Sequence, residues 1–472
     1  MPAAPPRAEE KQFDVVTAHG TRRDEYHWLR DDSRSDPAVI QHLTAENTYT
    51  EVVLEPNRSL EQTLFDEMRA RLQEDDASVP VFFRGYWYYS RFEKGKQQPI
   101  HARRAGDMGA PEQVLLDGNE LGAPHSFYRI GSYAVSPNGR LLAWTDDTVG
   151  RNQFVLHVRD LATNERLPDT AENIASMLAW ANDDRTLFYV GKDPTTLRED
   201  RVFRAPLGEP HALVFQEQDS SYYVSLATSK SRRYVFIGLR STTTSETRLI
   251  DAANPEGEPR VFFARRRDHL YSVDHLDDRF VVRTNRDAKN FRLMEVTEGE
   301  EQDESAWRDL VAHRSDTLVD SFAVYHRFVA LSVRNGGLRK VEIAPFARVE
   351  GGRSTLDERY FIDADEASYT MSVRDTPTAS ATRVRYVYGS LVSPASVFEA
   401  DVFSRERERL KEQPVPTYDA SLYASEYLHA RATDGSLVHG ARRDGEWMET
   451  ETILMRSKTG SVRRLSYRQH NQ

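Results

Sequence analysis

Ser136-Pro137-Asn138-Gly139-Arg140-Leu141-Leu142-Ala143-Trp144 is a polar turn followed at once by a short apolar and aromatic run. Turn residues feeding such a run are the mark of one strand entering the next. The same couplet recurs along the chain. Tyr86-Trp87-Tyr88-Tyr89 follows Arg84-Gly85, and Leu187-Phe188-Tyr189-Val190 follows Asp183-Asp184. Tyr234-Val235-Phe236-Ile237 follows Ser231-Arg232, and Phe280-Val281-Val282 follows Asp277-Asp278. Phe328-Val329-Ala330-Leu331 follows Tyr325-His326, and Val384-Arg385-Tyr386-Val387-Tyr388 follows Ser380-Ala381. The second residues of these turns, 85, 139, 184, 232, 278, 326 and 381, are spaced 54, 45, 48, 46, 48 and 55 apart. An all-strand texture repeating every ~40–50 residues is the signature of propeller blades, each a four-stranded sheet. The expected fold is therefore all-β, a seven-bladed β-propeller over 77–412. The even spacing favours it over a sandwich of unrelated hairpins, and the repeats lack a Gly-His…Trp-Asp signature.

Outside the repeats the texture differs. Residues 1–76 read as a helical segment. Asp36-Pro37 is a start signal, because Asp caps orphan amides and Pro fits the first helical position. Val39, Ile40 and Leu43 then share a face. A second helix is expected from Ser59, with Gln62 completing a capping box, and Leu60, Leu64, Phe65, Met68 and Leu72 as its apolar stripe. Two such helices need another body to cover them. After the repeats, the charged run Arg405-Glu406-Arg407-Glu408-Arg409 and Gln413-Pro414-Val415-Pro416 read as a linker or as a solvated turn between strands. Residues 413–438 are assigned as linker and first strand of something further, and 439–472, with no sustained periodicity, as an aberrant, disordered tail.

Composition narrows the function classes. The 472 residues are 39% hydrophobic and 29% charged, with net charge −11. No apolar run approaches the ~20 residues of a membrane span, and the N-terminus lacks the apolar centre of a secretory signal. A soluble, cytoplasmic protein is expected, with no membrane partner. The chain has no cysteine, which excludes disulfides, thiol nucleophiles and zinc–thiolate sites. The acidic balance argues against nucleic acid as partner.

The search for catalytic, cofactor and metal sites is negative. There is no G-x-S-x-G elbow, no H-E-x-x-H, no P-loop and no G-x-G-x-x-G. His275 and His326 lie beside strands and turns, where a structural role is expected. Asp146-Asp147, Asp183-Asp184 and Asp277-Asp278 are candidate glycosidase carboxylates, but their place at repeat turns favours a backbone role. Arg265-Arg266-Arg267 is a candidate anion site with a solvated loop as the alternative.

Longer strings carry a resemblance. Tyr26-His27-Trp28-Leu29-Arg30-Asp31-Asp32 with Asp36-Pro37 resembles the N-terminal signature of the prolyl oligopeptidase family, and the oligopeptidase B branch most. Gly85–Arg91, Leu116–Leu121, Ser136–Ala143, Trp180–Tyr189, Tyr271–His275 and Thr284–Phe291 continue the match in order, which runs from about residue 10 to Val438. The resemblance implies a serine peptidase in which an α/β-hydrolase domain carries the Ser-Asp-His triad and a seven-bladed propeller admits only short peptides. Oligopeptidase B cleaves after Lys or Arg. In the family the N-terminal helices pack on the hydrolase domain, which supplies the missing cover. The elbow serine, acid, histidine and oxyanion donors fall in a portion with no match here, so no catalytic residue transfers to this chain. The expectation is a truncated oligopeptidase B-like peptidase, inactive alone, whose partners are short peptides and the missing hydrolase domain. The competing expectation is a stand-alone propeller that binds proteins or peptides.

Overall fold

The computed structural model describes residues 4–351, 353–416, 418–435, 437–443, 446–449, 453–456 and 462–465. They fall into two compact units, 1–73 and 74–472.

In the first unit the sequence reading needs one correction. Residues 1–76 are not helical throughout, because Phe13–Thr17 and Gly20–Asp24 form an antiparallel hairpin. Both strands are largely exposed, so the apolar-in, polar-out alternation that would betray them is weak. The Tyr26–Asp32 string then folds as a tight knot. Trp28 Nε1 donates to the Glu9 carbonyl at 2.7 Å, and the His27 ring stacks on Phe13 at 3.9 Å. Asp31 accepts the backbone amides of Ser33, Ser35 and Asp36, and these bonds hold its carboxyl down at about 2. Helix α1 (Pro37–Leu54) begins where expected, with the Asp36 side chain accepting from Ala38 and Val39. Helix α2 (Arg58–Ala70) starts one residue before Ser59, so Ser59 is no cap. The 3₁₀ turn Glu55–Asn57 carries the chain from one helix into the other and removes the need for one. The α2 stripe is exposed, Leu60 at 58%, Met68 at 60% and Leu72 at 63%.

In the second unit the repeats are antiparallel meanders, four-stranded except for the sixth, which has five strands. Five separate sheets span 81–117, 129–167, 174–216, 223–263 and 271–311. A nine-stranded sheet follows, made of a sixth meander (317–361) and a seventh (369–412) joined by one parallel pairing, Arg339 with Thr370. Every polar turn picked out from the sequence joins the first strand of a meander to the second. The run after each turn is apolar without alternation because the second strand is covered on both faces. In Thr186–Lys192 all seven residues are buried.

What covers them is the neighbouring meander. Six apolar clusters each straddle one adjacent pair. Leu115 and Trp144 link the first and second, Phe154 and Tyr189 the second and third, Phe188 and Ile237 the third and fourth. Phe236 and Phe280 link the fourth and fifth, Val281 and Val329 the fifth and sixth, Tyr325 and Tyr386 the sixth and seventh. Among the described residues no cluster joins the seventh to the first. Polar contacts do so instead: Lys411 with Asp76 at 2.6 Å, the Arg385 guanidinium donating to the Pro80 carbonyl at 2.9 Å, and the Thr378 hydroxyl donating to the Phe82 carbonyl at 3.0 Å. Each meander uses only consecutive strands, so no strand is lent across this seam.

Arg407–Glu412 is the last strand of the seventh meander, so the charged run 405–409 is a turn and strand rather than a linker. Beyond it, Ser425–Arg431 pairs with Leu437–Arg443, and Glu446–Glu449, Ile453–Arg456 and Val462–Leu465 extend that sheet. The expectation of disorder over 439–472 meets strands in these parts, and its remainder lies outside the described residues.

Candidate functional site

The seven first-to-second-strand turns are tied to neighbouring repeats in sequence, the first repeat through Arg103 of its third strand. Arg103 donates to the Gly139 carbonyl at 2.9 Å, and the Asn138 amide donates to Asp184 at 2.6 Å. Asn182 donates to the Arg232 carbonyl at 2.9 Å, and the Ser231 amide to the His275 carbonyl at 3.0 Å. His326 pairs with Asp277 at 3.0 Å and donates its amide to the Ala379 carbonyl at 3.0 Å. With Thr378 reaching Phe82, the circle closes. Two side chains then cross its centre. Lys230, with its side chain 2% exposed, pairs with Asp375 of the seventh meander, which also accepts from Tyr325 at 3.0 Å. Arg232 reaches the first meander, its guanidinium 4.8 Å from the Phe83 ring. Together these contacts make a belt of turns.

Four of these turns hold a non-glycine residue in the left-handed region: Arg84, Asp184, Arg232 and Asp277, with φ of 48°, 58°, 62° and 60°. Asp adopts that conformation readily; arginine does so seldom.

One string in the belt has the residue types of a hydrolytic triad. The Ser231 hydroxyl meets His275 Nδ1 at 2.8 Å, and His275 Nε2 lies 3.5 Å from Glu298. Its surroundings make it a clamp. The His275 side chain has 0% exposure, and burial lowers its pKa, so it stays neutral. The Ser231 oxygen accepts the Arg233 amide, while Arg233 and Tyr234 both hold Glu298. His275 is thus held within the fold by Ser231 and Glu298, and His326 by Asp277.

The acidic pairs are also occupied. Asp146 and Asp147 end the second strand of their meander, at the turn that leads to the third. Asp146 accepts from Tyr128 at 3.1 Å and faces His157 at 2.8 Å. Burial works against the Asp147 carboxylate, yet the amides of Val149, Gly150 and Asn152 hold it below its ordinary pKa. Asp183 caps its own turn through Arg185 and Thr186. In the first two pairs the adjacent carboxylates take different partners, and Asp277 is held by His326 at 3.0 Å. Of the arginine triplet, Arg265 is bound by Glu217 at 2.6 Å and Glu246 at 3.1 Å, and Arg266 by Glu304. Arg267 is 94% exposed and lies 3.6 Å from Asp268, so the triplet is no anion site. Among the described residues no group of three metal-ligating side chains occurs, and no helix is long and apolar enough to cross a membrane.

The chain enters its first strand and leaves its last at the end opposite the belt. There Glu366 accepts from Tyr388, Ser390, Ser393 and Ser425, and so fastens the outgoing strand 425–431 to the seventh meander.

This architecture matches the family model described as prolyl oligopeptidase, N-terminal beta-propeller domain, over residues 5–413. The chain belongs to that family. It is 41% identical to dipeptidyl aminopeptidase BI of Pseudoxanthomonas mexicana, covering 92% of this chain and 61% of the relative. It is 29% identical to protease 2 of Moraxella lacunata, covering 89% and 60%. Oligopeptidase B from Leishmania major superposes with a TM-score of 0.84 at 25% identity, over 93% of this chain and 65% of that one. The chain thus spans about 60% of the length of the curated relatives it matches.

Proposed function

We propose that residues 77–412 are a seven-bladed propeller that screens substrates for a peptidase whose chemistry is done by an α/β-hydrolase domain. The observation that carries this is the belt. It gathers charged and aromatic side chains at one end of the repeats, while the chain enters and leaves at the other end, where a second domain would be joined. A peptide would then have to approach from the hydrolase side, and the ring would exclude folded proteins by size. Acyl transfer needs an activated nucleophile and an oxyanion hole. Among the described residues Ser231 and His275 are committed to the clamp and supply no such nucleophile.

Two specificities follow from the relatives. The oligopeptidase B likeness favours cleavage after Lys or Arg within short peptides. The name of the 41%-identical relative favours release of dipeptides from a free N-terminus instead. The test is to mix this chain with the hydrolase domain of a close relative and assay blocked Arg-containing chromogenic peptides beside unblocked dipeptidyl ones. A complex on size exclusion and turnover above the isolated hydrolase domain are expected, together with no fluorophosphonate labelling of this chain. Absence of both complex and added turnover would leave a stand-alone peptide-binding propeller as the better reading.

A further inference from the structure

Arg84 and Arg232 come from meanders far apart in the chain, yet their guanidinium carbons lie 5.1 and 4.8 Å from the centre of one ring, Phe83. Neither guanidinium has a hydrogen-bond acceptor or a carboxylate within ion-pair distance among the described residues, whereas most other arginines of the belt and its surroundings do. Arg232 Nε is buried with no partner. Burial, and then the neighbouring charge of Arg84, push the Arg232 guanidinium below its ordinary pKa. The nearby acids are already engaged: Asp375 by Lys230 and Tyr325, Asp274 by the amides of Lys230 and His275, Asp184 by the Asn138 amide. Two like charges have been brought together, and the backbone of both holds a conformation that arginine disfavours.

Beside them is a cavity of about 280 Å³. Val81, Phe83, Val135 and Pro377 line it with the two tyrosines Tyr88 and Tyr133, so its wall is largely apolar and aromatic apart from the two arginines, the phenol hydroxyls and the turn 136–139. An apolar pocket with a few convergent polar groups is the usual form of a small-ligand site. Paired guanidinium groups match an oxyanion, which accepts their N–H donors in a fork.

We infer that the belt is a binding site for a carboxylate carried on a compact apolar body, with Arg84 and Arg232 holding the anion and Phe83, Tyr133 and Val135 holding the body. A short peptide ending in an apolar residue presents this chemistry, and so does a free aromatic acid. The inference needs no catalytic activity and stands apart from the peptidase reading.

The experiment is calorimetric titration of the full chain with N-acetyl-phenylalanine, its C-terminal amide, inorganic phosphate, and a tripeptide ending in Phe. Saturable binding of N-acetyl-phenylalanine, with the amide at least roughly tenfold weaker because the charged hydrogen bonds are lost, is expected. Arg84→Gly and Arg232→Asn should each weaken it by a similar factor. Gly and Asn both accept the left-handed backbone, so these variants keep the fold, which a thermal melt verifies. Tripeptide binding as tight as that of the acid would support the site and extend it to peptide termini, and binding of the free acid alone would support it for small acids. Phosphate binding as tightly as the acid would overturn the apolar half. No saturable binding of the acid, or binding untouched by both substitutions, would overturn the site.

Discussion

Single residues of the belt carry opposing pH dependences. Burial raises Asp274 to about 6, and burial lowers His275 below its usual value. A carboxyl raised on folding adds stability that is full below its unfolded pKa, near 4, and is lost as pH rises through about 6. A histidine lowered on folding does the reverse: its contribution is present above about 6.5 and is lost as pH falls through the depressed value. Asp274→Asn keeps an acceptor for the Lys230 and His275 amides but cannot ionise. Its stability relative to the parent should therefore rise between pH 4 and pH 7, by about 1–3 kcal/mol, in paired denaturant melts. The apolar core gives a second expectation at this scale. Phe188 is fully buried between the third and fourth meanders. Phe188→Ala should cost about 3–5 kcal/mol at any pH, read from the shift of the urea midpoint. What the sequence hid at this scale was pairing. Nothing in the neighbourhood of either Arg84 or Arg232 announces that the two share a ring, because only closure of the circle brings them together.

Elements were more legible. The seven turns could be read because each needs polar or left-handed residues, and each is followed by a strand covered on both faces, which loses its alternation. The first helix could be read because Asp36 caps it and Pro37 starts it. Asp36→Ala should cost the first turn of α1 about 0.5–2 kcal/mol, seen as faster hydrogen exchange at Val39 and Ile40, with amides in 186–192 unchanged. The hairpin over 13–24 was missed since its strands lie open to solvent, and the start of α2 was misplaced because a 3₁₀ turn replaced the expected break. The search for a site by motif returned nothing. It also weighed Arg265-Arg266-Arg267 above Arg84 and Arg232, because adjacency in sequence is visible and partnering carboxylates are not.

At the scale of the whole second unit, six of the seven joins between meanders are apolar and the seventh is polar. A half-buried ion pair such as Lys411–Asp76 contributes on the order of 1 kcal/mol, far less than a cluster of buried aromatic and branched side chains. Hydrogen exchange should therefore be faster in 77–83 and 383–412 than in 186–192 and 234–240, and the test fails if the seam proves as protected as the rest. Dissolved salt adds a consequence of its own. Added sodium chloride shortens the Debye length from about 10 Å at 0.1 M to about 3 Å at 1 M. It screens a lysine–aspartate contact and leaves apolar joins as they were or tightened. Ionic strength should then act on this ring as on a bracelet with one clasp, loosening most the place where the first and last meanders meet, because pairs such as Arg265–Glu217 lie in joins that also carry an apolar cluster.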